Sequence, residues 1–194
     1  MKNKAMVIKL NLIAAACENM GIGKGNNLPW RLRTELDYFT RMTSATVDKN
    51  KKNIVIMGRR TWDSLPNKFK PLSDRINCVL SRSDLDLKKY QDVHTFKSLE
   101  QCLEKIGNSE FRDRFETVWI IGGTNVYKES MESEQFYRLY LTKIFKHFDC
   151  DTFFPKIPDN LIEVRDPAVP EGTQKEKDVE FVYHVYENPN FKAL

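Results

Sequence analysis

The sequence predicts one α/β domain, residues 1–194, with a mostly parallel central sheet of about eight strands, flanking helices and an antiparallel hairpin at its C-terminal edge. Three observations support this architecture. Strand-like apolar runs alternate with helical patterns along most of the chain. No helical pattern separates the last two strand-like segments, which indicates a hairpin rather than a parallel crossover. A length of 194 residues suits one domain with a substantial core.

The individual elements follow from composition and periodicity. Strands are predicted at 7–17, 53–57, 75–80, 93–96, 117–121, 139–144 and 179–186, where β-branched and aromatic residues cluster. Helices are predicted at 32–42, where apolar residues recur every three or four positions, and at 61–65, 99–106 and 124–131, with Ser98 as the N-cap of the third. The C-terminal hairpin pairs residues 161–165 with the final strand, and the charged segment 167–178 is its solvated connection.

Charge and cysteine spacing exclude several classes of protein. The net charge of +4 is spread along the chain, so no nucleic-acid-binding face is predicted. No run approaches the roughly 20 apolar residues of a membrane span. Lys9 and Asn11 interrupt the apolar N-terminal stretch, which favours a buried strand over a signal peptide. The four cysteines lack metal-ligand spacing, so we predict reduced thiols, no metal site and a cytoplasmic protein. A monomer is predicted because no long apolar edge requires burial.

A glycine-rich loop followed by a single acid is the most informative feature of the chain. Residues 18–28 contain three glycines and three asparagines, and Pro29 and Trp30 end this segment before the first predicted helix. Glu35 lies on the apolar stripe of that helix. The periodicity alone is explained better by an exposed acid at the border of the stripe, or by a first-turn acid that the helix dipole favours. A buried carboxylate, by contrast, has a raised pKa suited to proton delivery near neutral pH, and accepts two hydrogen bonds from an amidine-like ligand edge.

Two adjacent glycines mark a second candidate site. Gly122 and Gly123 follow an apolar strand and precede a helix. Glycines there allow a ligand to approach the backbone, and the N-terminus of the helix offers free N–H groups to a phosphate. A tight strand-to-helix turn without a ligand explains the spacing equally well.

Two strands are predicted to end in basic residues. The segment 58–61 (Gly-Arg-Arg-Thr) follows one strand, and 81–82 (Ser-Arg) follows the next. Arginine binds phosphate oxygens bidentately, so these two ends suit the extra 2′-phosphate of NADPH, although a solvated basic turn is the simpler alternative. The G-x-G-x-x-G fingerprint of NAD-type Rossmann domains does not occur in the expected context.

Taken together, segment 19–30, Glu35 and segment 121–127 resemble the dihydrofolate reductases, the animal type in particular. The resemblance extends over residues 10–186. It implies an NADPH-dependent oxidoreductase that converts 7,8-dihydrofolate to 5,6,7,8-tetrahydrofolate, with hydride added to C6 and a proton to N5, and so supports one-carbon metabolism. It also implies binding of antifolate inhibitors. Arg31-Leu32 departs from the proline-rich turn of vertebrate relatives just before the first helix.

The resemblance also implies residue roles. The catalytic group would be Glu35, Leu28, Trp30 and Thr142, with Thr142 bonded to Glu35. The substrate would contact Ile13, Ala14, Ala15, Glu35, Leu36, Phe39, Leu65, Pro66, Phe69, Leu72, Arg75, Ile121, Tyr127 and Thr142, with Arg75 binding the glutamate tail. NADPH would contact Ala15, Ile22, Gly23, Lys24, Gly58, Arg59, Arg60, Thr61, Leu80, Ser81, Arg82, Lys97, Ile121, Gly122, Gly123, Thr124, Asn125, Val126 and Tyr127. Cis peptide bonds are implied before Pro71 and between Gly122 and Gly123.

Two other functions remain open from the residues. A reductase of the same fold acting on a ribosylated pyrimidine or another pterin would keep the glycine pair and basic turns, but would not need Glu35 or Arg75. A non-catalytic nucleotide- or RNA-binding module would instead require a concentrated basic face with exposed aromatic residues, and the sequence has no such concentration.

Overall fold

A nine-stranded sheet forms the centre of the computed structural model, which describes residues 7–87 and 89–192. The described strands are β1 (Leu10–Ala16), β2 (Gly21–Gly23), β3 (Lys52–Gly58), β4 (Arg75–Leu80), β5 (Val93–Phe96), β6 (Phe115–Ile120), β7 (Phe136–Ile144), β8 (Thr152–Phe153), β9 (Ile162–Glu163), β10 (Gln174–Glu176) and β11 (Val179–Glu187). The helices are α1 (Arg33–Ser44), α2 (Arg59–Ser64), α3 (Leu99–Gly107), α4 (Ser109–Arg112) and α5 (Thr124–Glu132), with a 3-10 turn at Asn67–Phe69.

The strand order of the large sheet is β10-β11-β7-β1-β6-β3-β4-β5, and β9 also pairs with β11. Strand β1 lies parallel to β6 and β7, β3 lies parallel to β4 and β6, and β4 lies parallel to β5. Strand β11 runs antiparallel to β7, β9 and β10. The predicted mostly parallel α/β sheet with an antiparallel C-terminal pair is confirmed.

Both faces of the central parallel strands β1, β3 and β4 are buried, which explains their largely apolar sequences. Residues 54–57 of β3 are fully buried, and alternate side chains enter two separate hydrophobic clusters. One cluster packs β1, β3 and β4 against α3, α4 and α5, whereas the other packs the opposite faces of these strands against α1 and α2. The helices therefore cover both sides of the sheet. As predicted, Ser98 caps α3, because its Oγ accepts a hydrogen bond from the backbone N–H of Gln101 at 3.1 Å.

The C-terminal hairpin differs in detail from the prediction. Segment 161–165 does pair with the last strand, through the short ladder of β9 with Tyr186 and Glu187 and a hydrogen bond from the N–H of Val164 to the carbonyl oxygen of Val185 at 2.9 Å. Segment 167–178 is not only a connection, because its residues 174–176 form the edge strand β10 and pair with the start of β11. The prediction missed β10 because three polar residues give no apolar alternation.

The N-terminal glycine-rich loop also contains a strand. Residues 21–23 form β2, which pairs with β8 in a separate two-stranded sheet. Within the described ranges, no helix is long and apolar enough to cross a membrane. In the same ranges, no group of three or more His, Cys, Asp or Glu side chains is placed to hold a metal ion.

Candidate active site

Glu35 lies in the first turn of α1, and its side chain is buried. Only 5% of the residue is exposed, although its helix lies at the molecular surface. The hydroxyl group of Thr142, on β7, donates a hydrogen bond to Oε1 of Glu35 at 3.2 Å. Thr142 lies between Ala15 of β1 and Tyr183 of β11 in the sheet. The carboxylate therefore faces the sheet, as a buried acid would, and the explanation of Glu35 as an exposed border residue is wrong.

The environment of Glu35 shifts its ionisation toward neutral pH. Burial raises the pKa of Glu35 from its ordinary 4.5 to about 7, because the charged form loses its hydration, and the hydrogen bond from Thr142 opposes part of this rise. A carboxyl group with this pKa is present in both protonation states near neutral pH. It is thus suited both to hold a proton and to deliver it.

A cavity of about 490 Å³ opens next to Glu35. Its lining is Leu28, Trp30, Arg31, Leu32, Arg33, Glu35, Leu36, Glu176 and Lys177. Leu28 and Leu36 are 50% and 45% exposed, so apolar surface faces this opening. The indole N–H of Trp30 is buried and has no hydrogen-bond partner among the described residues. An apolar cavity with one buried acid and one unused donor is typical of a ligand site.

The side chains of β1 divide between the two faces of the sheet. Ile13 and Ala15 belong to the cluster on the α1 side, which also contains Ile121. Ala14 points to the opposite face and packs in the other cluster with Leu12. Of the three β1 residues implied for the substrate pocket, only Ile13 and Ala15 therefore present side chains on the side of Glu35.

Arg75 lies at the other end of α1 and is also buried, with 4% exposure. Its Nη1 donates to Oγ1 of Thr43 at 2.7 Å, and its Nε donates to the carbonyl oxygen of Ser73 at 2.8 Å. Burial lowers the pKa of the Arg75 guanidinium below its ordinary value, and nearby Asp74 opposes this effect. Thr43 and Glu35 are eight residues apart on one helix, so the residue that holds the buried cation and the buried acid are separated by about 12 Å along its axis.

Apolar side chains lie near this second end. Phe39, Leu65 and Leu72 pack in the same cluster as the buried face of α1. Phe69 follows Pro66 in the 3-10 turn and is 50% exposed. The Lys70–Pro71 peptide bond next to this turn is cis. These residues place apolar surface between the Glu35 end and the Arg75 end.

The glycine pair comes into direct contact with the end of β3. The backbone N–H of Gly58 donates to the carbonyl oxygen of Gly122 at 2.8 Å. Gly122 has φ of +110°, and its peptide bond to Gly123 is cis. A Cβ atom on Gly122 would lie 3.1 Å from the Tyr127 ring, and one on Gly58 would lie 3.3 Å from Val126. Side chains are therefore excluded from this corner of the sheet.

Helix α5 begins directly after the glycine pair. Its N-cap, Gly123, makes no side-chain hydrogen bond, so the first-turn N–H groups remain available to an anion. The hydroxyl of Thr61 lies 3.5 Å from the Cβ position of Gly123, which places the start of α2 beside the start of α5. Thr124 donates its hydroxyl to the carbonyl oxygen of Phe153, while Val126 and Tyr127 are core residues. Asn125 is exposed.

Three parallel strands end side by side next to this corner. Gly58 is opposite Leu80, and Leu80 is opposite Phe96, so Arg59, Ser81 and Lys97 follow at the same edge. Arg60 and Arg82 are exposed there as well. Two of the cations have acidic neighbours, because Arg59 pairs with Asp63 at 3.6 Å and Lys97 contacts Asp84. Lys97 also donates to the carbonyl oxygen of Arg82 at 3.2 Å.

The glycine-rich loop is held by the segment around β8. Asp149 contacts Lys24, and a carboxylate oxygen of Asp151 accepts from the N–H of Gly25 at 2.8 Å. Ile22 packs against the core, and Gly23 pairs with Thr152. The loop is thus tied at its tip while Leu28 stays exposed beside the cavity.

Some residues at the cavity were not predicted from the sequence. Each carboxylate oxygen of Glu176 accepts one backbone N–H of α1, from Arg33 at 2.9 Å and from Thr34 at 2.8 Å. Glu176 and Lys177 also line the cavity. Their positions follow from pairing of β10 with β11, for which the sequence carries only a weak signal, a Lys-Glu alternation before Val179.

The comparisons with known proteins agree with this geometry. The family model described as dihydrofolate reductase matches residues 9–188. A dihydrofolate reductase of Heliothis virescens is 44% identical over 182 residues, which cover 92% of this chain and 97% of the relative. A dihydrofolate reductase of Bos taurus is 45% identical over 190 residues, which cover 95% of this chain and 100% of the relative. The solved dihydrofolate reductase of Schistosoma mansoni superposes with a TM-score of 0.83 at 40% identity, covering 94% of this chain and 99% of that one. The resemblance inferred from the motifs is confirmed, and this chain belongs to the dihydrofolate reductase family.

Proposed function

We propose that this protein catalyses NADPH-dependent reduction of 7,8-dihydrofolate to 5,6,7,8-tetrahydrofolate, with hydride added to C6 and a proton to N5. The observation that carries the proposal is the presence of buried Glu35 at one end of α1 and of buried Arg75, bonded to Thr43, at the other, with Glu35 and Thr43 about 12 Å apart along the helix axis. One end suits a ring with an amidine-like edge and the other suits a carboxylate. Dihydrofolate has both groups, joined by an aromatic spacer.

Glu35 would bind the pterin through both carboxylate oxygens and supply acid chemistry in the same place. Ionised, it accepts from an amino group and a neighbouring ring N–H. Its pKa of about 7 keeps a protonated fraction near neutral pH, which would serve protonation of N5 through a water molecule. The unused indole N–H of Trp30 would orient that water, and Leu28 would cover the ring.

The substrate tail would lie along the apolar surface toward Arg75. Leu36, Phe39 and Leu65 would contact the aminobenzoyl group, together with Pro66, Phe69 and Leu72. The Arg75 guanidinium would bind the glutamate carboxylate bidentately, because Thr43 and Ser73 hold its Nη1 and Nε in place. A single variant tests this end: Arg75→Lys keeps the charge but loses the planar fork, so KM for dihydrofolate should rise about tenfold, the value of one lost charged hydrogen bond.

The glycine corner fits NADPH. Gly58 and Gly122 let the end of β3 pack closely against Val126 and Tyr127 of α5, and the first turn of that helix offers N–H groups to a pyrophosphate. When bound there, NADPH supplies the hydride, while the protein supplies position and electrostatics. Ala15 and Ile121 would contact the nicotinamide, and the tied loop with Ile22 would exclude water.

The basic strand ends would recognise the 2′-phosphate. Arg59, Ser81 and Arg82 follow neighbouring parallel strands and so converge on one edge, where Lys97 supports the Arg82 backbone. Among the described residues, Asp63 pairs with Arg59 but no carboxylate pairs with Arg82. Arg82 would therefore bind a phosphate with less competition than Arg59. We therefore infer a preference for NADPH over NADH.

The test is the decay of NADPH absorbance with dihydrofolate, run beside NADH and beside Glu35→Gln. The wild-type protein should oxidise NADPH in preference to NADH. Glu35→Gln should bind NADPH with unchanged affinity, measured by fluorescence quenching, yet lose most turnover at neutral pH. A wild-type rate in the variant would contradict the role of Glu35. NADPH binding without decay in the wild type would instead indicate another pterin or a ribosylated pyrimidine as substrate.

Cellular context belongs to the same proposal. All four cysteines are free thiols, which fits a reducing, cytoplasmic environment. We infer a monomer that supplies tetrahydrofolate for one-carbon transfer and binds antifolates in the Glu35 cavity. Displacement of dihydrofolate by a diaminopyrimidine inhibitor, with loss of that competition in Glu35→Gln, would test the last point.

A further inference from the structure

The helix that carries Glu35 has no cap of its own. Leu32 occupies the N-cap position and makes no side-chain hydrogen bond. The first N–H groups of a helix have no partners within the helix and need acceptors from elsewhere. Glu176, distant in sequence, supplies acceptors for two of these N–H groups. Its Oε1 accepts from the backbone N–H of Arg33, and its Oε2 accepts from that of Thr34. These two N–H groups hold the pKa of the Glu176 carboxyl below its usual range, so Glu176 is ionised.

The hairpin of β10 and β11 is also connected to Glu35 through β7, which carries Thr142. Glu176 ends β10 and is opposite Val179 at the start of β11. Strand β11 then runs beside β7, where Tyr183 is opposite Thr142, the donor to Glu35. The ring of Tyr183 also stacks on Tyr38 of α1, with centroids 4.0 Å apart. The position of α1 relative to Thr142 is therefore set through the hairpin.

We propose that Glu176 is a positioning residue for Glu35: it anchors the first turn of α1 to the C-terminal hairpin and so fixes where the Glu35 carboxylate meets Thr142 and the ligand. The proposal rests on the proposed function, in which Glu35 binds the pterin. Glu176 lines the same cavity as Glu35, so its charge also contributes to the field in that cavity.

The negative charge of Glu176 should raise the pKa of Glu35. The N-terminus of α1 carries a partial positive charge that favours the ionised form of a first-turn carboxylate. The Glu176 carboxylate neutralises this charge and thus helps to keep Glu35 protonated. The other groups that face Glu35 or its cavity are Thr142, Tyr38, Tyr127, Tyr183, Arg31, Arg33 and Lys177. Burial raises the pKa of the three tyrosines, which keeps them neutral where Glu35 titrates.

Glu176→Gln is the informative variant, because it keeps the shape and one acceptor but removes the charge and the second acceptor. Glu176→Ala removes both acceptors. Glu180→Gln is the matched control, since Glu180 lies on the same hairpin and is exposed, with Lys175 as its ion-pair partner at 3.1 Å. The primary readout is the ¹³C titration of the Glu35 carboxyl in ligand-free protein, assigned with Glu35→Gln. The second readout is KM and kcat for dihydrofolate across pH.

Glu176→Gln should lower the titration midpoint of Glu35 by about 0.2–0.7 pH unit, the size of a charge effect at a helix end. It should also raise KM for dihydrofolate several-fold while the affinity for NADPH stays unchanged. Glu176→Ala should show the larger KM effect, and Glu180→Gln should show neither.

A purely structural role predicts a different result. If Glu176→Gln lowers the urea midpoint but leaves both the Glu35 titration and KM unchanged, the proposal is overturned. Failure of the proposed function is recognised separately, because the wild-type protein would then not reduce dihydrofolate at all. In that case the ¹³C titration still decides whether Glu176 controls Glu35.

Discussion

Replacement of Glu35 by glutamine should stabilise the ligand-free protein at alkaline pH while abolishing most of its activity. The buried acid releases its proton in the unfolded chain near its ordinary pKa of 4.5, but in the folded protein only near pH 7. Between these values the folded state holds one more proton than the unfolded state, so stability falls as pH rises through this window. Above pH 7 the loss is complete and constant.

The magnitude follows from the same two values. At 1.36 kcal/mol per pH unit, the interval from 4.5 to about 7 corresponds to about 3 kcal/mol of lost stability. Solvent screens this effect little, because Glu35 is only 5% exposed. Glutamine is neutral at every pH and can still accept the hydrogen bond from Thr142. The free energy of unfolding of the variant should therefore not fall in this way as pH rises.

Urea unfolding of both proteins at pH 5 and pH 8.5 measures the effect. The stability difference between Glu35→Gln and wild type should shift by about 2.5 kcal/mol in favour of the variant between the two pH values. Contributions of all other groups cancel, since only residue 35 differs. An unchanged difference would show that Glu35 titrates normally and would refute the argument that burial prepares it for acid chemistry.

Two further perturbations test other contacts. Thr142→Val removes the hydrogen bond that favours ionised Glu35, so the pH at which turnover falls should move upward by about one unit, measured from kcat/KM against pH; a downward shift would contradict the direction. Gly21→Ala places a Cβ atom 2.4 Å from the Cys150 sulfur and should cost about 1–3 kcal/mol in urea unfolding, whereas Gly23→Ala, with its nearest neighbour at 3.4 Å, should be much milder. Equal losses in the two glycine variants would argue against the packing of the loop on Cys150.

The parallel strands of the sheet could be predicted from the sequence. Strands buried on both faces give continuous apolar runs, so β4 was predicted with the bounds that the structure has. The edge strand β5 is only partly buried, and its bounds were predicted from its β-branched and aromatic residues. The helix containing Glu35 was predicted from its apolar spacing. Its burial was not settled by that spacing, because the decisive contact, with Thr142, is made 107 residues away.

Short polar strands and contacts across the sheet could not be predicted from the sequence. The Gly-Ile-Gly of β2 has low strand propensity because two of its three residues are glycines, and it forms a strand by pairing with β8. Ala14 shows another limit, since strand alternation directs its side chain away from Ile13 and Ala15 even though all three are adjacent. From the sequence alone, Glu176 would be interpreted as a solvated charge, because its contact with α1 depends on the pairing of β10 with β11.

The order of strands in the sheet has a consequence for synthesis of the protein. Leu10 of β1 pairs with Val118 and Phe136, so β1 leaves the ribosome long before β6 and β7, its neighbours in the large sheet. Helix α1 likewise emerges 143 residues before Glu176, the acceptor that closes its first turn. A nascent chain that stops short of the hairpin would present an apolar strand edge with an uncapped helix, which makes incomplete products prone to aggregation and proteolysis.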